Sequence, residues 1–176
     1  MLPDAPPYMK WDEEVARQLT DFNKRLQHLE RLEDPAGGYT EGARVYNDAD
    51  ILIGNAAVTT LTFNSERWDT DGIHSVLLNT DRLTCQTAGT YSIMGNVRWD
   101  IDVVGIRQVD IFLNGIARIA WLLQLASGRD AMQLSTIYDL SVADFVVLRV
   151  YQNSGGNLNV DSFAQASPEF MMQRIG

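Results

Sequence analysis

Arg107-Gln108-Val109-Asp110-Ile111-Phe112-Leu113-Asn114-Gly115-Ile116-Ala117-Arg118-Ile119-Ala120-Trp121-Leu122-Leu123 reads as two apolar, β-branched-rich runs around an Asn-Gly pair. Asn114 and Gly115 both tolerate positive φ, which the tightest hairpin turns demand, so the stretch predicts a two-residue β-hairpin. Similar runs lie on both sides of it, at residues 90–104, 133–140, 145–152 and 169–175. Ser154-Gly155-Gly156-Asn157 marks a further turn. Many short strands with no interleaved helices imply an antiparallel sandwich or barrel. The sequence contains no internal repeat and no low-complexity tract.

Upstream of Tyr39 the pattern changes. Val15, Leu19, Phe22, Leu26 and Leu29 recur in steps of four and three, which places all five on one seam of a helix. Asp12, Glu13, Arg17, Asp21, Lys24, Arg25, Glu30 and Arg31 give the other face a mixed, solvated character. Asp12, Glu13 and Glu14 suit the positive end of a helix dipole. Asp34-Pro35-Ala36-Gly37-Gly38 stops the helix and supplies a flexible joint. A helix of about 25 residues with one apolar stripe is marginal alone, so something must cover the stripe. Its own β domain is one cover and neighbouring copies are another; the strict seam and the glycine joint favour a short coiled coil. Three prolines in the first eight residues make that segment extended, either a loose leader or a peptide that lies in a groove on a larger particle. The expected organisation is a Pro-rich leader at 1–8, an amphipathic coiled-coil helix at 9–34, a Gly-containing linker at 35–42 and a β head domain at 43–176.

Composition narrows the function. The 176 residues are 45% hydrophobic and 21% charged, enough for a core without metal or disulfide staples. A formal net charge of −9 argues against nucleic acid and against anionic membrane surfaces as partners. No run approaches the ~18 apolar residues of a membrane span. The N-terminus has neither the basic start nor the apolar stretch of a secretory signal. Cys85, the single cysteine, reads as a small buried apolar side chain.

Residues 63–91 carry a resemblance. Phe63-Asn64-Ser65-Glu66-Arg67-Trp68-Asp69 is followed by Gly72-Ile73-His74-Ser75 and then by Arg82-Leu83-Thr84-Cys85-Gln86-Thr87-Ala88-Gly89-Thr90-Tyr91. This resembles the signature of the globular head of the complement C-one-q family, which shares its fold with the tumour necrosis factors. Leu140-Ser141-Val142-Ala143-Asp144-Phe145-Val146-Val147-Leu148 resembles the family's "L-x-x-G-D-x-V-x-L" segment, and Phe170-Met171-Met172-Gln173-Arg174-Ile175 its closing strand. The likeness spans about residues 43–176. Departures are Leu83, Ile93 and Gly95 where aromatics are usual, Ala143 where glycine is usual, and a longer interval between Asp69 and Leu83.

The resemblance implies an all-β, ten-stranded antiparallel jelly-roll sandwich that forms a homotrimer through one sheet. Strand period two then sorts the residues. Tyr91, Ile93, Val97 and Trp99 would face the sandwich core, and Ser92, Met94, Asn96 and Arg98 the threefold axis. Val146, Leu148 and Val150 would be core. Phe145, Val147, Arg149 and Tyr151 would face neighbouring subunits, since a strand apolar on both faces is covered on both faces. An interior strand of one subunit would satisfy the same pattern.

Catalytic signatures are missing. There is no Gly-x-Ser-x-Gly elbow, His-Glu-x-x-His, Cys-x-x-Cys or phosphate-binding glycine loop, and only two histidines, His28 and His74. Asp48 with Asp50, Asp69 with Asp71, and Asp100 with Asp102 are paired acids that suit turns as well as calcium. Asp69-Thr70-Asp71-Gly72 opens like an EF-hand loop, but its twelfth position is Thr80 instead of Glu. The sequence therefore assigns no catalytic residue, no cofactor and no metal. It is expected to encode a non-enzymatic trimeric structural protein, a bacteriophage virion component such as a head fibre, decoration or tail-associated protein. The N-terminal segment would engage a capsid or tail protein. Leu113-Asn114-Gly115, Tyr151-Gln152-Asn153-Ser154-Gly155-Gly156 and Ser167-Pro168-Glu169-Phe170 resemble phage and bacterial members of the family more than animal ones. The alternative is an extracellular or cell-surface module that recognises a host glycan or protein through head loops, with Trp68 and Trp121 as candidates.

Overall fold

A computed structural model of the chain describes residues 15–20, 22–23 and 41–176. The chain divides into two units, residues 1–38 and 39–176. In the first, residues 15–20 and 22–23 are helical, and Val15, Leu19 and Phe22 are exposed on that helix. Leu26 and Leu29, the Pro-rich leader and linker residues 35–40 lie outside the described residues.

The second unit is an all-β jelly-roll sandwich. Its first sheet runs β4-β1-β12-β6-β9, built from β1 (Gly42–Tyr46), β4 (Ser65–Asp69), β6 (Gly89–Arg98), β9 (Ala131–Leu140) and β12 (Glu169–Arg174). The second runs β3-β10-β7-β8, with β5 also paired to β10; these are β3 (Thr59–Thr60), β5 (Arg82–Thr84), β7 (Ile106–Leu113), β8 (Ala117–Leu125) and β10 (Phe145–Gln152). Those ten strands are joined by a two-stranded ribbon of β2 (Ile51–Ile53) and β11 (Leu158–Val160).

The hairpin forms where the sequence places it. Asn114 and Gly115 take φ of +50° and +69°, and Ile116 N–H closes the turn on Leu113 O at 3.0 Å. One expected strand is shorter: β6 ends at Arg98 instead of continuing to Val104. Arg107 explains the break. Its buried guanidinium donates to the carbonyls of Val104 and Ile106, each at 3.0 Å, and to Asp102 Oδ1 at 2.9 Å. Carbonyls turned inward toward this cation turn the side chains of Ile101, Val103 and Val104 outward into solvent.

The core follows the pleat. Tyr91, Ile93 and Val97 from β6, with Trp99 just beyond its end, share one core with Val146, Leu148 and Val150 from β10, all buried. Gly95 lies in the same row because Leu148 already fills the space. A Cβ there would stand 2.5 Å from Leu148 Cδ1. A leucine on the facing strand thus replaces the bulk of the family's usual aromatic. Cys85 is fully buried, with Sγ 3.2 Å from Thr87 O, and burial pushes its thiol pKa up. A desolvated thiol of this kind is a packing group.

Ala143 sits at φ +73° in the turn before β10, closed by Asp144 N–H on Ser141 O at 3.0 Å. Left-handed backbone costs an L-residue about 1–2 kcal/mol and glycine almost nothing, which is why glycine is the usual choice there. Ala143→Gly is expected to raise the unfolding free energy by about 1 kcal/mol. Gly95→Ala is expected to lower it by about 1–3 kcal/mol, because the fully buried Leu148 must shift to admit the methyl group. Chemical denaturation of the two variants beside the parent checks both signs.

Candidate interaction surfaces on the two sheet faces

With alternate residues spent on the core, each sheet presents the other half outward. On the first sheet this outer face carries Ser92, Met94, Asn96 and Arg98 from β6. They are flanked by Gln173, Met171 and Glu169 on β12 and by Ile137, Ser135, Gln133 and Ala131 on β9. Its middle is apolar, with Met94 and Met171 paired across strands and Ile137 63% exposed.

Two charged clusters lie toward one end of that middle, both against the 161–167 segment. Glu169, fully buried, accepts from Arg44 Nε at 2.8 Å and from Arg67 Nε at 2.9 Å, and Arg67 stacks 4.0 Å over the Tyr46 ring. Further along the same end of β6, Asp161 pairs with Arg98 and Arg129, and Arg98 lies 3.5 Å over the Phe163 ring. A cavity of about 370 Å³ opens beside this second cluster, bordered by Asn96, Arg98, Gln133, Phe163 and Ser167. Asn96 Oδ1 is buried there and accepts no hydrogen bond among the described residues. Gln133 Nε2 meets only a thioether, Met94 Sδ at 2.8 Å, a weak acceptor.

The second sheet's outer face is different in kind. β10 contributes Phe145, Val147, Arg149 and Tyr151; the partner rows add Phe112, Asp110 and Gln108 from β7, then Trp121 and Leu123 from β8. Val147 is buried within the subunit, while Phe145, Arg149 and Tyr151 are half-buried. Arginines cover the rings. Arg82 lies 4.4 Å from the Phe145 centroid, Arg149 4.0 Å from Phe112, and Arg118 5.5 Å from Phe112 and 5.8 Å from Trp121.

The structure therefore splits the interface residues expected from sequence. Ser92, Met94, Asn96 and Arg98 lie together on the first sheet. Phe145, Val147, Arg149 and Tyr151 lie on the opposite outer face, so one threefold contact built on one sheet cannot contain both sets. The strand pattern showed that β10 is covered on both sides; it carried no sign that arginines of the same subunit provide much of that cover.

The paired acids serve loops. Asp69 accepts the N–H groups of Asp71, Ile73 and His74 at 3.1, 3.0 and 2.8 Å, which fixes the turn that looked like an EF-hand opening. Asp102 binds Val104 N–H and Arg107, and these bonds hold its carboxyl below the usual range. His74 is buried, with Nδ1 3.0 Å from Glu66 and Nε2 3.5 Å from Thr80 O. Among the described residues no group of three or more His, Cys, Asp or Glu is placed to hold a metal ion.

No family profile and no curated protein matches the chain. Solved structures do. The chain is similar to Eiger TNF from S. frugiperda at TM-score 0.58 and 9% identity, covering 79% of this chain and 94% of that one. Murine APRIL matches at TM-score 0.57 and 9% identity, over 77% of this chain and all of the other. The globular domain of zebrafish complement 1qA matches at 0.53 and 13%, over 78% and 98%. At such identities the likeness is one of fold: the head has the jelly-roll architecture shared by tumour necrosis factors and complement globular domains.

Two outcomes follow from these contacts. Glu169→Ala leaves two guanidiniums around a vacated buried site and is expected to cost about 3 kcal/mol, measured by denaturant midpoint. Asp144 accepts from Asn114 Nδ2 and Ser141 N–H, each at 2.8 Å, and these bonds depress its carboxyl pKa, the Asn114 bond most. A depressed folded pKa contributes stability that is present above the unfolded value of ~3.9 and is lost as pH falls through the folded one. Asp144→Asn is expected to lower the neutral plateau of the stability-against-pH curve and to flatten its acid limb, so that variant and parent converge at low pH.

Proposed function

We propose that the chain is a non-enzymatic homotrimeric structural protein whose first sheet turns toward the threefold axis. The single observation that carries this reading is the outer face of β6, β9 and β12. It combines exposed Ile137, paired Met94 and Met171, a cavity, and a buried Asn96 oxygen that lacks a donor. An orphaned buried acceptor costs about 1–3 kcal/mol unless another molecule supplies the bond. A neighbouring copy satisfies it and removes the apolar middle from water. Ser92, Met94, Asn96 and Arg98 are then subunit contacts. Phe145, Arg149 and Tyr151 point away from the axis. The heptad side chains Val15, Leu19, Phe22, Leu26 and Leu29 form a parallel stalk seam, a reading supported by the exposure of the first three.

A bacteriophage virion role, as head fibre, decoration or tail-associated protein, suits a trimeric stalk with a Pro-rich leader free to engage a capsid or tail protein. An extracellular or cell-surface recognition module is the second reading, and the arginine-and-aromatic second face favours it.

Light scattering of the full chain is expected to give the mass of three 19.7 kDa subunits. Met94→Lys brings three like charges near the axis and is expected to shift the mass toward one subunit while the β circular dichroism persists. A parent protein with the mass of one subunit at micromolar concentration overturns the trimer. Deleting residues 1–35 is expected to leave the head folded and, in the virion reading, to abolish incorporation into particles; unchanged incorporation overturns that role.

A further inference from the structure

The arginines of the head are mostly neutralised. Glu169 holds Arg44 and Arg67; Asp161 holds Arg98 and Arg129; Asp102 holds Arg107. Arg149 breaks the pattern. Its guanidinium stacks on Phe112 and donates to Gly115 O at 3.2 Å, and among the described residues no carboxylate pairs with it. Asp110, its cross-strand neighbour, is already engaged by Gln108 at 2.7 Å and Arg118 at 3.3 Å.

Three features coincide on this one face. Arg149 and Arg118 flank a single phenyl ring, so both guanidiniums are held in place by stacking instead of waving in solvent. Register places Trp121 and Tyr151 on the rows beside them, and the Trp121 side chain is 56% exposed. The patch is cationic in a chain whose formal net charge is −9. Guanidinium forks match carboxylate and sulfate oxygens, and exposed aromatic planes present an apolar surface to a ligand.

We infer that the outer face of β10, β7 and β8, centred on Arg149, Arg118 and Trp121, binds an anionic oligosaccharide. The guanidiniums take its carboxylate or sulfate, and the indole packs against the apolar side of a sugar ring. The side chains of the face, stacked guanidiniums beside an exposed indole, fit a saccharide, whereas an acidic peptide would pair with the free edge of β8. The inference deepens the recognition reading above and does not need a particular subunit count. In the proposed trimer three such faces point outward, and effective concentration strengthens a weak single site.

The test uses the full chain and four probes in titration calorimetry at low salt: a heparin-derived octasaccharide, 3′-sialyllactose, lactose and a glutamate octapeptide. Binding of the octasaccharide, the sialyllactose or both supports the inference and distinguishes sulfate from carboxylate recognition. That binding is expected to weaken as salt rises. Arg149→Gln and Arg118→Gln are each expected to lower affinity at least tenfold. Arg149→Lys is expected to lower it less, since it keeps the charge but loses the planar fork. Thermal midpoint and light-scattering mass, taken on the same samples, separate loss of the site from loss of fold or assembly. Equal binding of lactose, equal or tighter binding of the peptide, no binding of either acidic sugar, or full affinity in both glutamine variants overturns it.

Discussion

The alternation of side chains across the β-pleat is the constraint on which everything else in the head depends. Neighbouring residues of β6 and β10 point to opposite sides, so a core that takes Tyr91, Ile93 and Val97, or Val146, Leu148 and Val150, commits the residues between them to the outside. The two sheets close on each other at Gly95 and Leu148, and their outer faces then diverge in chemistry. One sets a methionine-lined middle beside two ion clusters; the other interleaves arginine with aromatic rings. A one-residue slip in either strand would exchange core for surface along its whole length.

The sheets' central strands were legible because their signals are local. Asn114-Gly115 can close only a narrow set of turns, and runs such as 107–113 and 145–152 alternate over enough residues to fix a face. Ala143 shows how a departure from a family pattern becomes physics: the position demands left-handed backbone, and the chain bears that strain without glycine. The end of β6 was not legible, because Val103 and Val104 continue the apolar pattern. What stops the strand is the buried Arg107, which draws the backbone carbonyls of Asp102, Val104 and Ile106 inward, a contact with no local signature.

The surfaces were read less well than the core, for a related reason. Period two identifies which residues share a face of one strand, so the β6 set stayed together. It does not say which strands lie in the same sheet. Phe145, Arg149 and Tyr151 joined Ser92 and Met94 as expected subunit contacts through the family resemblance and strand alternation, while hydrogen-bond pairing places β10 between β7 and β5 and β6 between β12 and β9. Glu169 and Arg82 had no local signal because each acts through a partner far away in sequence: Arg44 is 125 residues from Glu169, and Arg82 stacks on Phe145. Among the paired aspartates, which suggested calcium, Asp69 accepts turn amides, and Asp100 and Asp102 each accept a loop amide and an arginine.

A protein with one sealed face and one open face makes an unambiguous footprint. Hydroxyl-radical labelling of the full chain at micromolar concentration, read residue by residue by mass spectrometry, addresses the division directly. The proposed assembly predicts that Met94, Met171 and Ile137 are protected while Trp121 and Tyr151 react freely. Labelling of the two methionines as fast as that of Trp121 would contradict it.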